Sequence, residues 1–283
     1  MRIDSHQHYW QVSRGDYHWM TPDVPVLYRD YLPADLRPLL SERGIQKTIL
    51  VQAAQTIAET NFLLQLAETD NSIAGVVGWL DMESPEFPAQ FERYRENPKF
   101  IGLRPMLQDL PDDDWIVRPR VLDALQRVAD ADFPFEFLTY PRHLPFVLKV
   151  LESFPTLRAV LDHISKPEIR IGKLEPWRTW IAQVAQHQNL FCKLSGMITE
   201  ADHQRWSPDD LRPYVDHIVQ CFGTDRLMFG SDWPVCLLAG SYSQTIEVLK
   251  ELLPSNLVEA DDRKIFGGNA EHFYKLGAEV NKL

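Results

Sequence analysis

His6 and His8, two residues apart near the amino terminus, and Asp232 far downstream are the residues whose types and spacing could do chemistry. In an extended strand, residues i and i+2 project to the same side. Asp4, His6 and His8 are therefore expected on one face, with Ile3, Ser5 and Gln7 on the other. Two imidazoles converging on one point suit a divalent metal. They equally suit a metal-free cluster that polarises a carbonyl and positions water beside the Asp232 carboxylate. Two hydrogen-bonded histidines at a strand end have the same spacing, so the surrounding elements must decide.

Those elements alternate. Eight short apolar or β-branched runs, Arg2 to His8, Lys47 to Ala53, Ile73 to Leu80, Phe100 to Met106, Pro134 to Thr139, Arg158 to His163, Leu190 to Ser195 and Leu227 to Asp232, read as strands. Between them, seven segments carry helical periodicity: Ala34 to Arg43, Asn61 to Glu68, Arg120 to Ala131, Leu144 to Phe154, Pro176 to Gln186, Leu211 to Cys221 and Thr245 to Leu253. Pro33 opens the first helix and Gly44 ends it. Strand and helix alternation predicts parallel strands joined by crossover helices, and eight strands predict a single (β/α)8 TIM barrel. Prolines fall at element boundaries and no shift of composition divides the chain, so residues 1 to 283 are expected to form one domain. An open doubly wound sheet is the alternative, but no glycine-rich phosphate loop follows the first strand.

In such a barrel the chemistry gathers at the carboxyl ends of the strands. His6, His8, Arg104, Glu136, His163 and Asp232 all lie in or at the end of apolar strands, where charged groups need partners or a ligand. Arg104 could grip a substrate oxygen pair as a bidentate fork or pair with Glu136. Glu136 could ligate a metal or hold Arg104 or a histidine in place. Lys166 and Lys193 fit substrate contact or a structural ion pair. Trp10, Trp19, Trp79, Tyr140 and Trp233 lie at or just beyond strand ends and could offer apolar faces to a sugar ring. Of the other histidines, His18 and His143 are rim candidates, whereas His187, His203, His217 and His272 are set aside.

A formal charge of −11 and a pI near 5.3 argue against nucleic acid and anionic membranes as partners, which would need clustered Lys and Arg. Cys192, Cys221 and Cys236 are widely spaced and odd in number, so neither a disulfide framework nor a cysteine zinc site is indicated, and a reducing cytoplasm fits. Met1-Arg2-Ile3-Asp4 enters a strand at once, so no signal peptide is expected, nor is any apolar run long enough to cross a bilayer.

Taken in order, Asp4-Ser5-His6-Gln7-His8, Gly102-Leu103-Arg104, Leu161-Asp162-His163-Ile164-Ser165-Lys166-Pro167, Cys192-Lys193-Leu194-Ser195-Gly196, Phe229-Gly230-Ser231-Asp232-Trp233-Pro234 and Ile265-Phe266-Gly267-Gly268-Asn269-Ala270 resemble the amidohydrolase superfamily. The likeness is to its amidohydrolase 2 branch of sugar-acid lactonases, of the fucono- and rhamnonolactonase type and related to the 2-pyrone-4,6-dicarboxylate lactonases. It implies a barrel that opens lactone rings, with Asp232 as general base, His6, His8 and His163 as a histidine cluster and Arg104 binding substrate; Lys166, Trp233, Trp79 and Tyr140 are added as substrate-contact candidates from their strand-end positions alone.

Two departures narrow the reading. The bridging lysine and two further strand histidines of many metal-dependent relatives are replaced by Glu136 and His163 alone, which argues against two metals. Pro105 also stands where many relatives have histidine after the arginine. The cofactor expectation is therefore one zinc or manganese ion at His6, His8, Glu136, His163 and Asp232, or no metal. Lactone esters are reactive enough for histidine and arginine hydrogen bonds plus a base to suffice. A metal-dependent non-oxidative decarboxylase is the alternative activity, a non-catalytic binding protein comes third, and exposed aromatic segments leave a homodimer open.

Overall fold

The eight apolar runs become eight parallel strands in a computed structural model that describes residues 1–277. They are β1 Ile3–Gln7, β2 Lys47–Val51, β3 Ile73–Gly78, β4 Phe100–Leu103, β5 Phe135–Phe137, β6 Ala159–Leu161, β7 Leu190–Leu194 and β8 Leu227–Phe229. Each is hydrogen-bonded to its neighbour in chain order. Seven crossover helices link them, α1 Pro33–Arg43, α2 Ile57–Thr69, α3 Phe87–Arg95, α4 Pro119–Asp130, α5 Leu144–Ser153, α6 Trp177–Val184 and α7 Pro208–Phe222, and α8 Tyr242–Leu252 follows β8. This is the (β/α)8 barrel that the alternation predicts. Helix α3 has no counterpart among the seven periodic segments, because Pro85, Pro88 and Pro98 in and around its nine residues read as boundaries. Among the described residues, no helix is long and apolar enough to cross a membrane.

Ile3, Ile49, Val51, Val77, Val160 and Met228 meet inside the barrel. Ala270, Phe273 and Tyr274 pack onto this interior cluster. The Arg158 guanidinium, just before β6, donates to the Phe273 carbonyl at 2.9 Å, which places this carboxyl-terminal segment at the amino ends of the strands. The opposite end carries the chemistry.

The ring is completed by a short seam. Gln7 bridges Trp233 in parallel, the His8 N–H donates to the Trp233 carbonyl at 2.7 Å, and the Asp232 N–H donates to the His6 carbonyl at 2.8 Å. Register across β1 shifts between Asp4 and Gln7, which face Thr48 and Leu50. An extra residue is thus accommodated as a bulge. It overturns the simple alternation expected of this strand. Ile3 joins the barrel interior, whereas Asp4 turns outward to accept from the Tyr242 hydroxyl of α8 at 3.2 Å and from the Ser231 hydroxyl at 2.6 Å. His6 and His8 still point inward. Strands β6 and β8 stop short of His163 and Asp232 because both residues adopt left-handed backbone, with φ of 52° and 57°.

The seam tolerates little bulk. A Cβ added to Gly230 would lie 2.7 Å from the His6 Cβ and 3.1 Å from the Ser195 Cβ. Gly230→Ala is therefore expected to cost about 1–3 kcal/mol through overpacking, seen as a fall of several degrees in the thermal midpoint by calorimetry. An unchanged midpoint would mean that the seam has slack.

Candidate active site

The seam hydrogen bonds bring the two ends of the chain together so that their side chains converge. His8 Nε2 lies 3.2 Å from His6 Nε2 and 3.3 Å from Asp232 Oδ1. His6 Nε2 and His163 Nε2 lie 3.9 and 3.8 Å from the same carboxylate oxygen. All four side chains are at least 94% buried. The ligand atoms of His6, His8 and Asp232 lie within 4.8 Å of one another, as do those of His6, Asp162 and His163. A tetrahedral zinc ion with bonds of about 2.0–2.2 Å holds its donor atoms roughly 3.3 Å apart, so the donor set and its spacing fit one such ion.

His163 reaches this point through unusual backbone. His163, Ile164, Ser165 and Lys166 have consecutive φ values of 52°, 49°, 61° and 44°. Left-handed backbone costs a β-branched residue such as Ile164 roughly 1–3 kcal/mol and persists only where packing enforces it. The Lys166 N–H donates to the His163 carbonyl at 2.8 Å, the Trp177 indole to the Ile164 carbonyl at 2.7 Å, and the Ser165 and Thr139 hydroxyls bond at 2.7 Å. This turn breaks strand alternation, so Asp162 and His163, adjacent in sequence, both enter the site. His163 Nδ1 bonds the Ser195 hydroxyl at 2.8 Å, leaving Nε2 toward Asp232.

Beneath the histidines is a buried charge network that sequence reasoning only half captured. Lys193 donates to Glu136 at 2.7 Å and lies 3.1 Å from Asp162 and 3.2 Å from His6 Nδ1, all fully buried. Arg104 donates through Nη1 to Asp162 at 3.0 Å and through Nη2 to the Gln52 carbonyl, so the carboxylate it pairs with is Asp162 rather than Glu136. Glu136 does not join the ligand cluster. Lys193 takes one of its oxygens and the Tyr274 hydroxyl the other, so the group proposed as a metal ligand lies in the core. Asp162, absent from the expected set, is the anion that Arg104 and Lys193 share.

These contacts set the charge states. Burial, helped by the Lys193 charge, holds His6 well below the ordinary imidazole range, and burial brings His163 down to about 4 against the pull of Asp232 and Asp162. Burial alone would raise Asp232, but the neighbouring His163, the adjacent His8 imidazole and the nearby His6 outweigh it and hold the carboxyl well below its usual range. Asp162 is likewise held low, by Lys193, His6 and Arg104 against burial, whereas burial and the Asp162 charge push Glu136 up. At neutral pH the site therefore presents an ionised Asp232 against neutral His6 and His163.

The cluster floors a cavity of about 600 Å³ whose lining includes His8, Arg104, His163, Lys166 and Asp232. Trp19, Met106, Leu138 and Leu238 supply apolar wall. Lys166 lies 3.6 Å from Glu200, while Tyr140, 5.7 Å from Lys166, is not part of the cavity lining and stacks on His143. Trp233 is buried edge-on against Tyr9 and Tyr31, and Trp79 receives the Thr60 hydroxyl at its carbonyl, so neither lines the cavity. His203, set aside from sequence, does line it; His143 is buried, and His18 is exposed. No sequence signal marks His203, which sits in a loop between β7 and α7.

The family profile described as amidohydrolase matches residues 3–276. The chain belongs to this amidohydrolase family. It is 43% identical over 280 residues to an L-fucono-1,5-lactonase of Burkholderia ambifaria, covering 97% of this chain and 96% of that protein. To an L-fucono-1,5-lactonase of Burkholderia multivorans it is 38% identical over 294 residues, covering 98% and 96%. A crystal structure of an amidohydrolase from Burkholderia multivorans with bound zinc superposes with a TM-score of 0.92 at 36% identity, over 98% of this chain and 99% of that one.

Asp162 ties the network together, so its loss leaves Arg104 without a carboxylate partner and Lys193 with Glu136 alone. Asp162→Ala is expected to destabilise the fold by about 3–5 kcal/mol, measured by urea unfolding. A loss under about 1 kcal/mol would show that Arg104 and Lys193 do not depend on it.

Proposed function

We propose that this amidohydrolase hydrolyses the ring ester of a sugar-acid lactone, of the 1,5-lactone kind for which its 43% and 38% identical relatives are named. The observation that carries the reading is an ionised Asp232 set against neutral imidazoles on the floor of a cavity of about 600 Å³. The cavity has room for one sugar ring, and Arg104 and Lys166 place positive charge on its lining.

Asp232 is the general base. His8, whose Nδ1–H donates to the Val51 carbonyl at 2.8 Å, keeps its Nε2 beside the carboxylate and helps to hold water there. The water oxygen attacks the lactone carbonyl carbon while its proton passes to Asp232. Negative charge gathers on the former carbonyl oxygen, facing the guanidinium of Arg104 and the imidazole cluster. The tetrahedral intermediate collapses by breaking the bond from the carbonyl carbon to the ring oxygen. That oxygen takes the proton back from Asp232 and leaves as a hydroxyl. The product is an open-chain hydroxy acid, whose carboxyl proton is released to solvent. A zinc or manganese ion held by His6, His8, His163 and Asp232 would add Lewis-acid polarisation of the carbonyl.

Lactone turnover is followed with a pH indicator across a panel of aldonolactones. Asp232→Asn is expected to lower kcat by about 10²- to 10⁴-fold with the fold intact; full activity would remove the assigned base. Release of carbon dioxide from an aromatic carboxylic acid, without lactone turnover, would instead support the decarboxylase alternative.

The pH dependence follows from the charge states. His163 must be neutral, and its folded value of about 4 means that protonation, and loss of rate, comes only as pH falls through that region. The acid limb of kcat/KM is accordingly expected near pH 4 or below. A limb between pH 6 and 7 would show an ordinary imidazole and contradict the neutral cluster.

A further inference from the structure

Two of the three clustered histidines have an unforced arrangement. His8 Nδ1 faces the Val51 carbonyl, a pure acceptor, so the ring proton sits on Nδ1 and Nε2 offers a lone pair. His163 Nδ1 faces the Ser195 hydroxyl, which can donate or accept. His6 differs. Its Nδ1 lies between the Lys193 ammonium at 3.2 Å and Asp162 Oδ1 at 3.4 Å, a donor-only group and an acceptor. One neutral nitrogen can satisfy only one of them.

The choice decides what His6 offers to the site. Accepting from Lys193 at Nδ1 puts the ring proton on Nε2, where the His8 Nε2 lone pair receives it across 3.2 Å. Every ring nitrogen of the pair is then satisfied without a metal. Donating from Nδ1 to Asp162 Oδ1, which has the Lys193 ammonium 3.1 Å away, instead turns the Nε2 lone pair to Arg104 Nη1 at 3.4 Å and leaves the His8 Nε2 lone pair facing that lone pair and the Asp232 carboxylate oxygen. Two lone pairs at that distance repel unless a cation lies between them.

We propose that Lys193 is a positioning residue that holds His6 in its Nε2–H form, so that the cluster is complete without a metal and takes up a divalent ion only when His6 transfers its hydrogen bond from Lys193 to Asp162. Lys193 is fully buried and absent from the cavity lining, so it acts through His6 rather than on substrate. It opposes a metal twice, through the proton it forces onto the ligand atom and through its own positive charge. These contacts are the same whichever ester the enzyme opens.

The test reads tautomer and metal affinity, not turnover. In the metal-free wild type, long-range ¹⁵N–¹H NMR is expected to show His6 protonated at Nε2, and zinc is expected to move that proton to Nδ1. Zinc affinity is then measured by calorimetry for the wild type, for Lys193→Arg and for Lys193→Met/Glu136→Gln. The double variant removes the cation together with the carboxylate it pairs with, so that no uncompensated charge remains to unfold the protein. The double variant is expected to bind zinc at least tenfold more tightly than wild type, with Lys193→Arg staying near wild type. A metal-free His6 protonated at Nδ1, or a folded double variant with wild-type zinc affinity, would overturn the proposal. If the double variant does not fold, the tautomer of the wild type decides alone.

Discussion

The hydrogen bonds that join the last strand to the first hold this site together. The Asp232 N–H donates to the His6 carbonyl and the His8 N–H to the Trp233 carbonyl, so the closure that gives the barrel its shape also fixes the carboxylate against the two imidazoles. Residues more than two hundred positions apart are thereby held within 3.3 Å at their functional atoms. No loop has to order for this contact to form. Asp4 reinforces it from outside the ring by binding both the backbone and the hydroxyl of Ser231, the residue before Asp232.

Closing the ring also buries charge, and the buried charges must cancel. Lys193 and Arg104 answer Asp162 and Glu136 below the histidines, which leaves Asp232 as the uncompensated anion nearest the cavity. That imbalance is the chemical resource of the site. A carboxylate facing neutral imidazoles attracts a proton from water, a cation or a polarised carbonyl. The same network keeps His6 and His163 from charging, so the resource persists across the neutral range.

Much of this was legible from residue order. Alternation of strand and helix specified the barrel because each run has one buried role to fill, and a polar residue ending an apolar strand, such as His6, His8, His163 or Asp232, is expensive unless it meets a partner. What escaped depended on backbone irregularity. The bulge in β1 reverses the expected side of Ile3 and Asp4, and four left-handed residues in a row bring Asp162 into the site beside His163, where alternation would place it on the other face. Glu136 escaped for another reason. Strand patterning shows that a side chain points into a barrel but not at what depth, and this carboxylate lies low enough to meet Tyr274 from the opposite end.

In the proposed reaction, water positioned by Asp232 adds to the carbonyl carbon of a sugar-acid lactone. Isotope position in the product tests it most directly. In ¹⁸O-labelled water, a single turnover is predicted to place one ¹⁸O atom in the carboxylate of the hydroxy acid and none in the hydroxyl released from the ring, read by mass spectrometry of the fragmented product. Label in that hydroxyl would mean attack at the alkyl carbon and would contradict the account.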